Sequence, residues 1–343
     1  YWAFVCENDT GVVNLGWGDI RIEREKFNFL VKLTSFDASV RKNWPVSPLP
    51  QPECWTVCAS PFSFVWVEGR ENILRMSWAN RAFAVNGTYQ ALHSPTVEDT
   101  LKQIDSVVVM SHEPGKWAFA ALVATYDSSP LQLVEYLLPI RPDAFSDIHW
   151  HASVADEVGM FEDVDDYESM KLPLKQLSIP SVKSSAMSAD DVRLFAHFEH
   201  LYLMVKYGDE LWLRRSRVAL PGGIGNKGAT VEEEWILFAS DVTAFDAVML
   251  DSWLLVFTTG SGGGVDYQGR FLDNAVSKSP LAVELETKAT AGQVTTSLAD
   301  VQWFQATANR YGEFALLLAN DGAYEINVGY MSFVGAGQAL LQY

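Results

Sequence analysis

Short apolar runs separated by turn residues dominate the chain, and they recur at a regular interval. Each copy begins with an acidic residue, usually Asp, followed by a run rich in Val, Phe or Trp and, after a turn, by a second apolar run. The clearest copies begin at Asp105, Asp191, Asp246 and Asp300, and weaker copies begin at Tyr1, Glu53 and Asp147. The starts are roughly 40–55 residues apart, longer than an ankyrin or leucine-rich repeat and typical of units built from four short strands.

A second and a third strand are predicted in five of these units. The second strands are predicted at 62–68, 116–125, 201–207, 253–259 and 313–319, and the third strands at 73–78, 131–138, 210–218, 268–273 and 323–331. Predicted turns between them include Glu68-Gly69-Arg70, Tyr207-Gly208-Asp209 and Asn320-Asp321-Gly322. Gly beside Asp supplies the positive φ angles of tight hairpins. No segment of the sequence sustains a helical apolar stripe over three turns.

Several predicted strands carry apolar residues at consecutive positions, for example 107–110 and 314–318. Such runs indicate strands that are buried on both faces. One four-stranded sheet exposes both faces to water, whereas packing each sheet on its neighbours buries them, and ring closure removes the exposed ends. The sequence therefore predicts an all-β fold, a single β-propeller over residues 1–343 with about seven four-stranded blades.

The fourth unit departs from this pattern. After Asp147 the chain has an acidic stretch at 156–168 and then a segment rich in Ser, Pro and Lys at 170–185. We expect an acidic and Ser/Pro-rich loop or a degenerate blade at 155–190. An insertion there would reduce the count to six blades, and a division into two domains near 150–190 is the competing architecture.

The predicted third strands at 72–78 and 131–136 combine apolar residues with Glu or Trp. In this they resemble the fucose-lectin propellers of fungi, and the resemblance implies sugar binding. The Arg, Glu and Trp of those lectins do not recur together in each unit, so no binding residue is carried over. The sequence also lacks the Gly-His and Trp-Asp ends of WD40 repeats.

Charge and composition narrow the classes of partner. The chain has 343 residues, 48% of them hydrophobic, and a formal net charge of −18. Nucleic-acid binding requires clustered Lys and Arg, so nucleic acid is not expected as a partner. No apolar run approaches the ~20 residues of a membrane-spanning helix, and no membrane insertion is expected. Three cysteines, Cys6, Cys54 and Cys58, predict free buried thiols rather than a disulfide framework.

Candidate catalytic and metal-binding groups are few. The repeated acids Asp147, Asp191 and Asp246 are the most plausible carboxylates for glycoside hydrolysis. A residue that recurs in every unit, however, usually serves the turn or cap of that unit. His149 and His151 with His197 and His200 form the only candidate zinc set, and the carboxylates at 162–168 fit a solvated loop better than a calcium loop. We expect no catalytic residue, no metal and no cofactor.

Tryptophans near predicted strand ends are the remaining candidates for a binding surface. Trp78, Trp150, Trp212 and Trp235 are predicted as possible ligand or partner contacts, because aromatic faces anchor protein interfaces and stack on sugars. The leading hypothesis is a non-catalytic interaction scaffold or structural component of a larger assembly, with other proteins as partners. A glycan-binding, lectin-like propeller is the alternative, and a glycoside hydrolase is the third candidate.

Overall fold

The computed structural model describes much of the C-terminal half of the chain and shorter segments of its N-terminal half. The described residues are 2–7, 13–18, 34–35, 54–59, 63–70, 73–80, 85–92, 101–110, 118–126, 133–140, 175–177, 189–219, 229–250, 252–272, 281, 289–308, 312–334 and 338–342. They contain 23 β-strands. Contacts between Cα atoms divide the chain into two compact units, one comprising Tyr1–Ser178 and Leu220–Ala229, the other Ile179–Ala219 and Thr230–Tyr343.

The first unit contains three antiparallel sheets whose strands follow one another in chain order. The first sheet consists of β1 (Trp2–Glu7), β2 (Val13–Gly18) and β3 (Thr34–Ser35). The second consists of β4 (Cys54–Ala59), β5 (Ser63–Arg70), β6 (Ile73–Asn80) and β7 (Val85–Leu92). The third consists of β8 (Leu101–Met110), β9 (Ala118–Tyr126), β10 (Leu133–Ile140) and β11 (Lys175–Leu177). Successive sheets meet through their first strands, β1 with β4 and β4 with β8.

The second unit repeats this arrangement with three four-stranded sheets. The fourth sheet consists of β12 (Ala189–His197), β13 (His200–Tyr207), β14 (Glu210–Ala219) and β15 (Ala229–Ser240). The fifth consists of β16 (Ala244–Leu250), β17 (Trp253–Thr259), β18 (Val265–Phe271) and β19 (Ala289–Gln293). The sixth consists of β20 (Trp303–Ala308), β21 (Glu313–Asn320), β22 (Ala323–Val334) and β23 (Gln338–Gln342). First strands again meet, β12 with β16 and β16 with β20.

Six of the seven repeat starts predicted from the sequence lie in or beside the first strand of a sheet. The start at Asp147 lies outside the described residues. The third sheet is completed by β11, which pairs with β10, so residues 141–174 connect two neighbouring strands of one sheet. The all-β pattern of antiparallel sheets is confirmed, with four described strands in five sheets and three in the first, while a closed ring and its blade number stay predictions.

Burial on both faces explains the consecutive apolar residues. Every residue of β17 is buried, and its side chains alternate between two separate cores. Leu254 and Val256 pack with the fourth sheet, whereas Leu255 and Phe257 pack with the sixth. Burying one such side chain contributes about 1.5–3 kcal/mol. The ring of Phe257 also contacts that of Phe314 at 5.7 Å between centroids, so the fifth sheet is the middle layer of this unit.

Two short joints lead into the first strands of the fifth and sixth sheets. Asp241 and Asp300 have left-handed φ angles of 58° and 52°, and each is followed by a buried valine, 2% exposed at Val242 and 6% at Val301. The N–H of Thr243 donates to the Thr259 carbonyl at 2.7 Å, and the N–H of Gln302 donates to the Ala319 carbonyl at 3.0 Å. Each bond ties the joint to the end of the second strand of the same sheet. The sequence pattern aligned Asp300 with Asp246 as equivalent repeat starts. This alignment was wrong, because the structural counterpart of Asp300 is Asp241.

The predicted turns are confirmed at two of the three positions. Gly208 and Gly322 have φ angles of 62° and 92° in the hairpins that join β13 to β14 and β21 to β22. The turn predicted at Glu68-Gly69-Arg70 was wrong. These residues lie within β5, where Arg70 pairs with Ile73, so the strand extends further than the glycine indicated.

Cys54 and Cys58, the two cysteines whose side chains are described, form no disulfide, as the sequence predicts, but their residues are partly exposed and not fully buried. Desolvation raises the pKa of the Cys58 thiol to about 12. The charge of Asp105 raises this pKa further and a hydrogen bond with Ser106 opposes the shift. Cys58 is therefore a protonated thiol at neutral pH and a poor nucleophile.

Gly292 provides a test of the packing between β18 and β19. It lies opposite Tyr267, and an added Cβ would lie 2.6 Å from the Tyr267 hydroxyl oxygen and 2.8 Å from Cζ. We expect Gly292→Ala to lower the free energy of unfolding by about 1–3 kcal/mol, because the ring must shift from its site. Gly262→Ala is the matched control, since nothing lies within 4 Å of its added Cβ, and we expect a change within about 0.5 kcal/mol. Urea denaturation measures both, and equal effects of the two substitutions would show that Tyr267 does not occupy this site.

Candidate functional site

A buried carboxylate joins the first strands of all three sheets in the second unit. The side chain of Asp246, in β16, is 4% exposed. Its Oδ1 accepts hydrogen bonds from Arg193 Nε at 2.7 Å and from the Ala247 N–H at 2.8 Å, and its Oδ2 accepts from the Ala306 N–H at 2.7 Å. Arg193 lies in β12 and Ala306 in β20. The carboxylate thus links the fourth, fifth and sixth sheets, and both of its oxygens are engaged.

The other repeated acids have a related role. Asp105 Oδ1 accepts from the Ser106 N–H and Asp191 Oδ1 from the Val192 N–H, both at 2.9 Å. Asp191 also accepts from Nη1 of Arg193 at 2.8 Å. In three first strands the acid therefore bonds the N–H of the next residue, which supports a structural role for the repetition. Asp147, the third candidate catalytic acid, lies outside the described residues.

Two of the four predicted tryptophan contacts lie on one face of the fourth sheet. Trp212 Nε1 donates to Glu210 at 3.0 Å, and Trp235 Nε1 donates to Glu233 at 2.7 Å. Residues two apart on a strand share a face, and the ion pair of Arg214 with Glu233 at 3.0 Å joins β14 to β15 on that face. Both indoles are half-buried. Trp78 lies in β6, but its side chain is outside the described set, as is all of Trp150.

Sequence reasoning missed the charge complementarity of β14 and β15. Besides the pair of the fully buried Arg214 with Glu233, Arg215 Nη2 donates to Glu234 at 2.7 Å. Glu234 also accepts from the Leu281 N–H at 3.1 Å, which ties this strand pair to the segment between β18 and β19. The available signal was the pair of opposed sequences at 214–217 and 232–234, Arg-Arg-Ser-Arg and Glu-Glu-Glu. Such opposite charges indicate neighbouring strands.

The described histidines flank a hairpin tip. His197 and His200 are directly paired across the two-residue turn of Phe198 and Glu199, so they do not occupy opposite faces of one continuous strand. Phe198 has a φ of 50°, an unusual conformation for a bulky residue. Within the described residues, no group of three or more His, Cys, Asp or Glu side chains is arranged to hold a metal ion. His149, His151 and the acidic stretch at 162–168 lie outside them.

His200 is held in its neutral form. Burial is the main cause that lowers its pKa, to about 4, and the nearby charges of Arg215, Arg217 and His197 lower it further, against a smaller opposing effect of Glu199. Because the unfolded-state pKa is about 6.5, the unfolded chain binds more protons between pH 6.5 and 4. Protonation of this group therefore favours unfolding as the pH falls through that window.

We expect the stability of the protein to decline between pH 6.5 and pH 4 and the decline to be smaller in His200→Gln. Urea denaturation at pH 7.5 and pH 5 measures the effect. The control is the value at pH 7.5, where the imidazole is neutral in both states and the difference between the two proteins reflects packing alone. A His200→Gln protein with the same pH dependence as the wild type would contradict the assignment.

The outer face of the sixth sheet, defined here by Trp303, Leu317, Tyr324, Ile326 and Val328, is an exposed apolar surface. The register places Trp303, Ala319 and Tyr324 side by side, with Leu317 beside Ile326 and Ala315 beside Val328. The exposed fractions are 47% for Trp303, 74% for Tyr324, 68% for Ile326 and 56% for Val328. Large apolar residues that are contiguous and exposed mark interaction sites.

In β22 the polar and apolar residues alternate in the reverse of the usual sense for a surface strand, because the apolar side chains are the exposed ones. Its polar residues lie on the opposite face, the face on which β21 packs against the fifth sheet. There Glu325 accepts hydrogen bonds from the N–H and hydroxyl of Ser297, from Thr296 and from Asn327. The bonds from Ser297 are the main cause that lowers the pKa of Glu325. The apolar side of β22 is thus its exposed side, with no cover from the residues that the structure describes, and sequence reasoning did not identify it.

Comparisons with known proteins define no family. No protein-family model and no curated protein matches the chain. Among solved structures, one chain of the yeast heterotrimeric Nup82-Nup159-Nup116 nucleoporin complex is 8% identical with a TM-score of 0.38, over 95% of this chain and 97% of that one. A post-proline cleaving enzyme from Rickettsia typhi is 8% identical with a TM-score of 0.40, over 98% of this chain but 44% of the enzyme. The WD40 domain of SCAP from fission yeast is 8% identical with a TM-score of 0.33, over 95% of this chain and 83% of the domain.

Identity and TM-score at this level carry no functional assignment, and the resemblance to fungal fucose lectins finds no support in them. Within the part of the chain that is described, no helix has the length and apolar character needed to cross a membrane.

The link made by Asp246 gives a direct test of its role. In Asp246→Asn either orientation of the amide directs its NH₂ at a donor, since Oδ1 accepts from Arg193 and Ala247 and Oδ2 from Ala306. We expect a loss of about 2–4 kcal/mol in unfolding free energy, because the ion pair is lost and a buried donor is left unsatisfied. Asp266→Asn is the control, because Asp266 is exposed on β18. Calorimetry or urea denaturation measures both variants, and a neutral Asp246→Asn would exclude the link as a determinant of stability.

Proposed function

We propose that this protein is a non-catalytic interaction scaffold of the propeller class that works within a larger assembly. The observation that carries the proposal is the outer face of the sixth sheet, where four large apolar side chains are each about half or more exposed. An apolar surface of this kind lowers its free energy when a partner removes it from water, by about 25 cal/mol per Å². Protein partners fit such a surface better than small polar ligands do.

The engagement of the described acids supports a role without catalysis. Asp191 and Asp246 share the guanidinium of Arg193, and both accept backbone N–H groups. A general acid or base needs a free oxygen directed at the substrate. The oxygens of Asp246 are instead occupied inside the molecule, which favours a structural carboxylate.

The blade count belongs to the same proposal. Six described sheets, and a segment at 141–174 that joins two strands of the third sheet, favour six blades over seven. Closure of the blades into a ring stays a prediction from the sequence and is not part of the binding surface proposed here. In a ring closed by its own sheets the outer face of the sixth sheet is covered, so the accessibility of Trp303 and Tyr324 discriminates a closed ring from an open stack.

A glycan-binding function is the second candidate. Trp212 and Trp235 share a face, and each indole is fixed by a neighbouring carboxylate. Fixed, half-exposed indoles are surfaces on which sugar rings stack. Absence of any bound sugar on a glycan array removes this candidate, while Trp78 and Trp150 stay predictions.

The mass of the native particle tests the scaffold. We expect the chain in a gently prepared extract to sediment well above its own 38.2 kDa, and Ile326→Lys to shift it towards that mass. Leu237→Lys is the matched control, because Leu237 is also large, apolar and 47% exposed but lies in β15. Wild-type protein that sediments as a single chain would refute the scaffold proposal.

A further inference from the structure

The outer face of the sixth sheet has the dimensions of one helix. Its apolar residues lie on three adjacent strands, β20, β21 and β22, and extend along β22 from Tyr324 to Val328. Strands lie about 4.8 Å apart and rise about 3.4 Å per residue, so the surface is about 10 Å wide between its outer strands and about 14 Å long. An α-helix is about 10–12 Å in diameter and covers 14 Å with about nine residues. The exposed apolar patch therefore has the width and length that a single helix covers.

Acidic residues lie at both ends of this surface. Asp300 and Asp321 are exposed near the end formed by Trp303 and Tyr324, and Glu313 lies at the other end of β21 on the same face. No Lys or Arg occurs in the described residues 289–308, 312–334 and 338–342. The charged side chains described at the ends of the apolar surface are therefore acidic, and they favour a cationic partner.

A second copy of the chain is a poor occupant. It carries the same acids around the same surface and a formal net charge of −18, so a symmetric dimer through this face places like charges opposite each other. A polypeptide with an apolar stripe and basic ends satisfies both properties of the surface.

We propose that the outer face of the sixth sheet binds one amphipathic helix of a partner protein, with an apolar stripe against Tyr324, Ile326 and Val328 and with Lys or Arg near its ends. Trp303 and Tyr324 act as anchors, since Trp and Tyr are the residues that dominate binding energy at interfaces. A basic side chain at that end of the helix pairs with Asp321 and lies over an aromatic ring. The inference rests on the scaffold function proposed above and specifies the chemistry of its partner.

The test uses the full chain and three synthetic peptides of Leu, Lys, Ala and Glu, each about 14 residues long, a length that lets a helix span the surface with basic ends to spare. The first has Leu at helical i, i+3, i+4, i+7 spacing with Lys at both ends. The second has the same composition in scrambled order, and the third has Glu in place of Lys. Fluorescence anisotropy of labelled peptide measures binding at low and at moderate salt.

We expect the basic amphipathic peptide to bind the wild-type chain and to bind Ile326→Lys at least about tenfold more weakly, as for the loss of a central interface residue. Leu237→Lys binds it like the wild type. Asp321→Asn binds it more weakly and with a smaller salt dependence, because one screened attraction is lost. Asn suits the turn at this position as well as Asp does, so this variant keeps the hairpin.

Three results overturn the inference. Equal binding of the scrambled or acidic peptide shows that amphipathicity or charge is not recognised. Protection of Trp303 and Tyr324 from hydroxyl-radical labelling in the purified chain, with no peptide present, shows that the chain covers this face itself. A dimer of the purified chain that dissociates in Ile326→Lys shows that a second copy is the occupant. If any of these results is found while the native particle is much heavier than one chain, the helix-binding inference fails and the scaffold proposal stands. A native monomer contradicts the scaffold proposal itself.

Discussion

The carboxylate of Asp246 is the interaction on which the order of the second unit depends. Apolar packing holds the fourth, fifth and sixth sheets together, but apolar contacts are non-directional and permit neighbouring sheets to slide. Three hydrogen bonds of 2.7–2.8 Å from three different first strands fix the position of β12 and β20 relative to β16. A charge removed from water is costly unless each lone pair is satisfied. Burial of the Asp246 carboxylate is therefore favourable only when all three strands are in place, and this makes the folding of the three sheets cooperative.

Thin sheets and two-sided cores account for the composition of the chain. A sheet such as β16–β19 has a core on each face, so β17 is buried at every position and is apolar from Trp253 to Phe257. This arrangement leaves few positions for chemistry inside a sheet. Polar groups occur instead along the first strands, where Arg193 and Asp246 meet, and on the outer strands, where Arg215 pairs with Glu234. The sites available for contacts with other molecules are then hairpins and uncovered sheet faces.

Much of the fold could be predicted from the sequence, because the information is local. The second strand at 253–259 was predicted with the bounds found for β17, since five consecutive apolar residues are followed by two β-branched threonines and the strand ends before Gly260. The third strand of the same sheet was predicted to begin at residue 268, three residues after the start of β18. The reason is that Val265, Asp266 and Tyr267 show no clear alternation of apolar and polar residues. The pairing of Arg214 with Glu233 depends on two strands separated by a loop, and a single sequence does not report that register.

The candidate site was harder to predict, and for a physical reason. The order Tyr-Glu-Ile-Asn-Val at 324–328 indicates an amphipathic strand, and hydrophobic burial predicts its apolar side as the inner one. The structure has the reverse, because the neighbouring β21 supplies Phe314, Leu316 and Leu318 to the core and fixes the face that packs on the fifth sheet. Trp212 and Trp235 were found because their side chains are large, whereas Ile326 and Val328 are ordinary strand residues whose exposure only coordinates reveal.

The joints at Asp241-Val242 and Asp300-Val301 also bear on how such a chain tolerates change during evolution. Each joint sets the entry into a first strand by a left-handed residue and a buried valine, so an added residue there would rotate the whole following sheet. Longer connections between strands, such as that from Ile140 to Lys175 within the third sheet, can vary in length at little entropic cost. Relatives of this protein are thus expected to keep short, invariant junctions while their overall lengths and sequences diverge, so spacing from these junctions offers a better basis for finding them than residue identity does.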